Sequence, residues 1–302
     1  MSVPQAKPRP TKEQWFGLPS SLPAGYETFR RIVPLGTIDM RNRVAGRAKK
    51  KPHEYPVAVA IPHLDTLDCL AITIEVLRAQ SIKPFIIIVD TGSPPHIREA
   101  LELMRADDLE IHYIASNGYQ HTSEGIALAL DVAQLRCPCE YLLHTHVDCF
   151  LRQRTALENL VSLCRSNMVV GYRLSPRDWA TDEWKWMVGH TLTMLHIPTM
   201  HCIGATWSMQ RTHHAFHYGW ENEGGWPDTE TGFNHVLRRG GIKPLFIGED
   251  RNGERQTDDL IDHVRSYAGS RIYNLHYHRE ASIWMKDAIH EAQQRIKQWG
   301  RQ

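Results

Sequence analysis

Residues 83–95, KPFIIIVDTGSPP, hold an unbroken apolar run from Phe85 to Val89, closed by Asp90 and a Gly-Ser-Pro turn. A run this short and this β-branched reads as a strand buried on both faces, the form strands take in a parallel sheet covered by helices. On its N-terminal side, YPVAVAIPH (55–63) is a second such strand, stopped by Pro62. Between them LDTLDCLAITIEVLRAQ (64–80) spaces Leu67, Leu70, Ile74 and Leu77 for one helix face.

The alternation continues downstream. PHIREALELMRA (95–106) reads as helix, LEIHYIAS (109–116) as strand, and TSEGIALALDVAQL (122–135) as helix with Thr122 or Ser123 as N-cap. EYLLHTHVDCF (140–150) is the next strand, followed by helix RTALENLVSLCRS (154–166) and strand MVVGYRL (168–174). Strands alternating with helices predict an α/β fold with a mostly parallel sheet and helices on both faces. Open sheets of this kind bind ligands beyond the carboxyl ends of their strands. The polar residues there are His63 and Asp65, Asp90 and Ser93, Ser116 and Asn117, and His146 and Asp148, and they are expected to share one crevice.

Beyond residue 175 the pattern breaks. SPRDWATDEWKWMVGH (175–190) and HYGWENEGGWPDTETG (217–232) read as loops or short helices over the crevice. ETGFNHVLRRGG (230–241) is a helix ending at a glycine pair, and IKPLFIG (242–248) a strand. Residues 249–262 read as polar and mobile, RIYNLHYHR (271–279) as strand-like, and SIWMKDAIHEAQQRIKQW (282–299) as an amphipathic helix. The expected organisation is a basic, proline-rich extension over 1–55, one domain over 56–280 and a C-terminal helix over 281–302.

Composition narrows the function classes. The chain has 302 residues and a formal net charge of +1, so its overall balance points to no polyanionic partner. No run approaches the ~18 apolar residues of a spanning helix. The N-terminus has no apolar signal core, so a cytoplasmic location is expected. Six cysteines are too few for a disulfide scaffold in this length and read as buried thiols. The cluster RNRVAGRAKKK (41–51) reads as a solvated arm, with phosphates of nucleic acid or of a membrane surface as its natural partners.

Taken in order, VAVAIP, IIIVDTGSP, SEGIALAL, CEYLLHTHVDCFL and DTETGFNHVLRRGG resemble the family 2 glycosyltransferases of GT-A fold, over about residues 56–250. That resemblance implies transfer of a sugar from a nucleotide-diphospho-sugar, a uridine derivative by family frequency, with inversion. It implies that Pro62, His63, Asp65, Asp90, Ser93 and Asn117 hold the donor nucleoside. It also implies a divalent cation, Mn2+ or Mg2+, at an Asp-x-Asp. Here that motif is His146-Val147-Asp148, so Asp148 is the metal ligand, and His146 either ligates beside it or hydrogen-bonds the donor. An imidazole favours manganese over magnesium. A further metal ligand is expected near the C-terminus, where His276 and His278 alternate.

The general base is expected in PDTETGF, at Glu230 or Asp228. Phe233 and Gly241 align better with Glu230, and Asp228 looks like the helix N-cap. Trp220 and Trp226 flank the motif as acceptor-stacking candidates. A glycan, a lipid and DNA remain open as acceptors. The competing reading is a metal-dependent hydrolase built on the His-x-His of His144 and His146. His144 itself reads as a residue packed deeper in the strand.

Overall fold

The computed structural model describes residues 55–114, 123–174, 187–208, 229–250, 255–265, 267 and 278–301. In chain order the elements are β1 (Val57–His63), α1 (Leu67–Arg78), β2 (Pro84–Asp90), α2 (Pro95–Glu102), β3 (Leu109–Tyr113), α3 (Ser123–Arg136), β4 (Tyr141–Thr145) and β5 (Cys149–Leu151). They continue as α4 (Ala156–Asn167), β6 (Val169–Leu174), β7 (Val188–His196), α5 (Ile197–Cys202), α6 (Thr229–Arg239), β8 (Leu245–Asp250), β9 (Gln256–Thr257), β10 (Ile261–His263) and α7 (His278–Trp299).

The main sheet has the order β3-β2-β1-β4-β7-β6-β8. Strand β7 runs antiparallel to both its neighbours, and the remaining pairs are parallel. Side-chain alternation sends each strand into two cores. Val57, Val59, Ile61, Ile86, Ile88 and Leu143 pack on one face with α1, α4 and α7. Ala58, Ala60, Phe85, Ile87, Val89 and Leu142 pack on the other with α3, α5 and α6. The small Ala58 and Ala60 share that second core with Ala127, Ala129 and Ala133 of α3, which lies on β1 and β2. This is the mostly parallel, helix-covered sheet that the sequence implies, and its order is open rather than closed into a barrel.

Four local expectations are corrected. Strand β1 runs through Pro62 to His63, because its ladder with β4 ends at Ala60 and the missing N–H interrupts no bond there. The strand read over 140–150 stops at Thr145, turns, and restarts as β5 in a separate sheet of order β5-β10-β9. The other two strands of that sheet, β9 and β10, come almost wholly from residues expected to be mobile. Strand β7, whose first three residues read as loop, is inserted between β4 and β6. Its buried threonines are satisfied: Thr191 Oγ1 donates to Asp250 Oδ2 at 3.1 Å and Thr193 Oγ1 donates to the Gly189 carbonyl. Gly171 lets β6 lie against it, since a Cβ there would come within 2.6 Å of Thr193 Oγ1 and Val188 Cγ2.

The C-terminal helix begins at His278, earlier than expected, and ends a strand reading for His278 and Arg279. Ala281, Met285, Ala288 and Ala292 place it in the first core. No helix among the described residues is long and apolar enough to cross a membrane. None of the six cysteines forms a disulfide; five are buried and Cys202 is exposed.

Candidate active site

The ends of β1 and β2 are joined by one carboxylate. Asp90, fully buried, accepts from the backbone N–H groups of Gly92 and Ser93 at 3.2 and 3.0 Å, from Arg98 Nε at 3.2 Å, and from the Ser93 hydroxyl. His63 Nε2 accepts the Thr66 N–H at 3.2 Å, so its proton sits on Nδ1, 3.1 Å from Asp90 Oδ2. Burial pushes the Asp90 carboxyl up, but hydrogen bonds from His63 and Ser93 outweigh it and hold it below the usual carboxylate range. The Asp65 N–H donates to Ser93 Oγ at 2.9 Å, and Asp65 takes a φ of 51°, a conformation Asp tolerates. Pro62, His63, Asp65, Asp90 and Ser93 are therefore gathered at one corner of the carboxyl edge.

The second corner is built by the small sheet. Asp148 precedes β5, and His263 ends β10 opposite Cys149. The Val264 N–H donates to the Asp148 carbonyl at 3.0 Å, and Thr73 Oγ1 donates to the Val147 carbonyl at 2.6 Å. These bonds fix the turn, so that one ligand atom each from His146, Asp148 and His263 lie within 4.8 Å of one another. His263 Nε2 is 3.5 Å and His146 Nδ1 3.8 Å from the same oxygen, Asp148 Oδ1.

Those separations suit a shared cation: ligand atoms about 2.1 Å from one ion lie roughly 3–4 Å apart. His146 Nε2 and both ring nitrogens of His263 have no hydrogen-bond partner although they are buried. Unpaired buried polar atoms are costly, and a cation would satisfy one nitrogen of each ring. Burial, with His190, His263 and Arg265 nearby, holds His146 well below the usual imidazole range, which leaves it neutral and able to ligate. Two imidazoles and one carboxylate fit manganese or another transition ion better than magnesium.

The third corner follows from the direction of β7. Because this strand is antiparallel, its first residues, not its last, reach the carboxyl edge, and they carry His190. His190 Nδ1 lies 2.5 Å from Glu230 Oε1 in the first turn of α6, and its ring is 4.5 Å from that of His146. Asn234, one turn along α6, clasps the start of β7. Its side chain accepts the Val188 N–H and donates to the Val188 and Glu230 carbonyls, all at 2.9 Å. Beneath them Trp207 stacks on Phe233, with ring centroids 3.9 Å apart and planes at 5°.

His144, the other half of the His-x-His pair, is fully buried against Trp207 at 5.2 Å and takes no part in the trio. Burial first, then His190, pushes its pKa down to about 3. Asn117, Trp220, Trp226, Asp228 and His276 lie outside the described residues, as do residues 41–51 and the side chain of His278. Arg255 is committed to Asp262 and Glu291. Sequence reasoning missed His263, His190 and Asn234. The one signal for His263 was the brief alternation Ile261-x-His263 inside a polar stretch.

No family model matches this sequence, and no curated protein does. Solved structures resemble it at low identity. S. aureus TarS 1–349 is 13% identical with a TM-score of 0.38, over 48% of this chain, which spans about half of that structure (48%). A mannosyltransferase from Pyrobaculum calidifontis, solved with GDP-Man and Mn2+, is 17% identical with a TM-score of 0.44, over 86% of this chain and 80% of its own. The 4-diphosphocytidyl-2C-methyl-D-erythritol synthase of Anaerococcus prevotii is 9% identical with a TM-score of 0.41, over 65% and 87%. These likenesses concern the fold, and the chemistry rests on the residues themselves.

Proposed function

We propose that this chain is a metal-dependent, inverting glycosyltransferase that takes a sugar from a nucleoside-diphospho-sugar, a uridine derivative first among them, and passes it to an acceptor hydroxyl. The observation that carries the reading is the trio His146, Asp148 and His263, with unpartnered buried imidazole nitrogens, set beside a histidine-held carboxylate at the carboxyl edge of the sheet.

The residues divide the work by corner. The β1–β2 corner, with Pro62, His63, Asp65, Asp90 and Ser93, takes the nucleoside. His146, Asp148 and His263 would hold the cation, which when bound would offset the charge that develops on the departing diphosphate. Glu230 takes the proton of the acceptor hydroxyl as its oxygen bonds to the anomeric carbon and the bond to diphosphate breaks. His190, donating from Nδ1, fixes the rotamer of that carboxylate. Asp228, two residues earlier, is the alternative base.

Calorimetric titration with UDP, GDP and CDP, each with and without Mn2+, tests this reading. Tight binding of one nucleotide that needs the metal is expected. Binding of none of the three would overturn it. The hydrolase alternative finds no support in the geometry, since its His144 is turned to Trp207 and the sheet is open.

A further inference from the structure

Arg265 stands two residues beyond the metal-site histidine His263, and its neighbour Val264 is bonded through N–H to the Asp148 carbonyl. Its guanidinium is parked rather than loose: Nη1 lies 3.3 Å from Asp250 Oδ1, at the carboxyl end of β8. Asp250 is in turn buried and held through its other oxygen by Thr191 Oγ1, one residue from His190. Thus β7, β8 and the segment after β10 together fix a positive charge two residues from the last member of the trio. A second arginine at this edge, Arg98, is bonded to Asp90 at the nucleoside corner. The Arg265 side chain is about a fifth exposed.

A guanidinium is a planar, permanently charged fork whose geometry matches phosphate oxygens, and an aspartate that fixes it in place lowers the entropy lost when a phosphate arrives. We infer that Arg265 is a diphosphate-binding residue of this site, gripping the nucleoside diphosphate alongside the metal and held for that purpose by Asp250 and Thr191. The inference rests on the nucleotide-sugar reading above and adds the residue that recognises the leaving group.

The test uses the full chain, UDP, GDP and CDP with Mn2+, and Mn2+ alone. Arg265→Gln is expected to weaken the nucleotide that the unaltered protein binds by at least about tenfold, in line with a lost charge-assisted phosphate contact. Mn2+ alone is expected to bind as well or better, because a like charge has been removed. A general loosening of the site would instead weaken both ligands. Arg265→Lys, which keeps the charge but not the fork, is expected to fall between, and it carries the test if Arg265→Gln does not fold. Nucleotide affinity within twofold of the unaltered protein in the folded variants would overturn the inference while leaving the nucleotide-sugar reading intact. No nucleotide binding by the unaltered protein would overturn both.

Discussion

Replacing Asn234 by leucine removes the clasp between α6 and β7 while nearly conserving volume. Val188 is fully buried, and both its N–H and its carbonyl bond to the Asn234 amide, so the variant leaves two backbone groups without partners. Each such group costs about 1–3 kcal/mol, which puts the loss near 4 kcal/mol. With an unfolding slope of about 2–3 kcal/mol/M in urea, the midpoint should fall by roughly 1–2 M with the slope unchanged. Asn234→Asp keeps an acceptor for the Val188 N–H but sets a carboxylate against two carbonyls, so it should be no milder. Activity should fall further than stability explains, because His190 and Glu230 lose their common tie, whereas metal-dependent nucleotide affinity should stay within a few-fold. A midpoint shift below about 0.3 M would refute the assignment of the clasp.

Two further outcomes are expected. Glu230→Gln should lower turnover by about 10²–10⁴ with nucleotide affinity retained, the range general-base removal usually costs; full activity there and its loss in Asp228→Asn would move the base to Asp228. Asp90→Asn should cost about 2 kcal/mol at neutral pH, since the charge-assisted bonds from Ser93, His63 and Arg98 weaken. The folded-state pKa of Asp90 is depressed, so its contribution is full above the ordinary carboxylate range and is lost as pH falls through the lower folded value. The gap between variant and unaltered protein in urea midpoints should therefore narrow on acidification, and a gap that holds constant would contradict this.

The difference between what was legible in the sequence and what was not follows from how each residue reaches the site. Phe85–Val89 and Val57–Ile61 announce themselves because a strand buried on both faces must be apolar throughout, and the residues that end such strands are then fixed at the carboxyl edge. Asp148 and His146 could be named, but the straight strand assumed for them is a turn, and it is Val264 and Thr73, distant in sequence, that shape it. His190 was hidden by direction: an antiparallel strand presents its first residues where parallel neighbours present their last. Thr191 and Thr193 also break the apolar run that marks a buried strand, since their hydroxyls find partners only after folding. His263 depends on the pairing of β5 with β10 across more than a hundred residues, for which the local sequence offers only a three-residue alternation.

The most direct test of the site is metal binding by the unaltered chain and by His263→Ala, His276→Ala and His278→Ala, titrated with Mn2+ after chelation. One ion per chain is expected in the unaltered protein, with affinity lowered at least on the order of 100-fold by His263→Ala, since even partners outside the ligand shell cost 10–100-fold. Unchanged affinity in His263→Ala, with the loss appearing in His276→Ala or His278→Ala, would contradict the trio and move the third ligand to the C-terminal histidines.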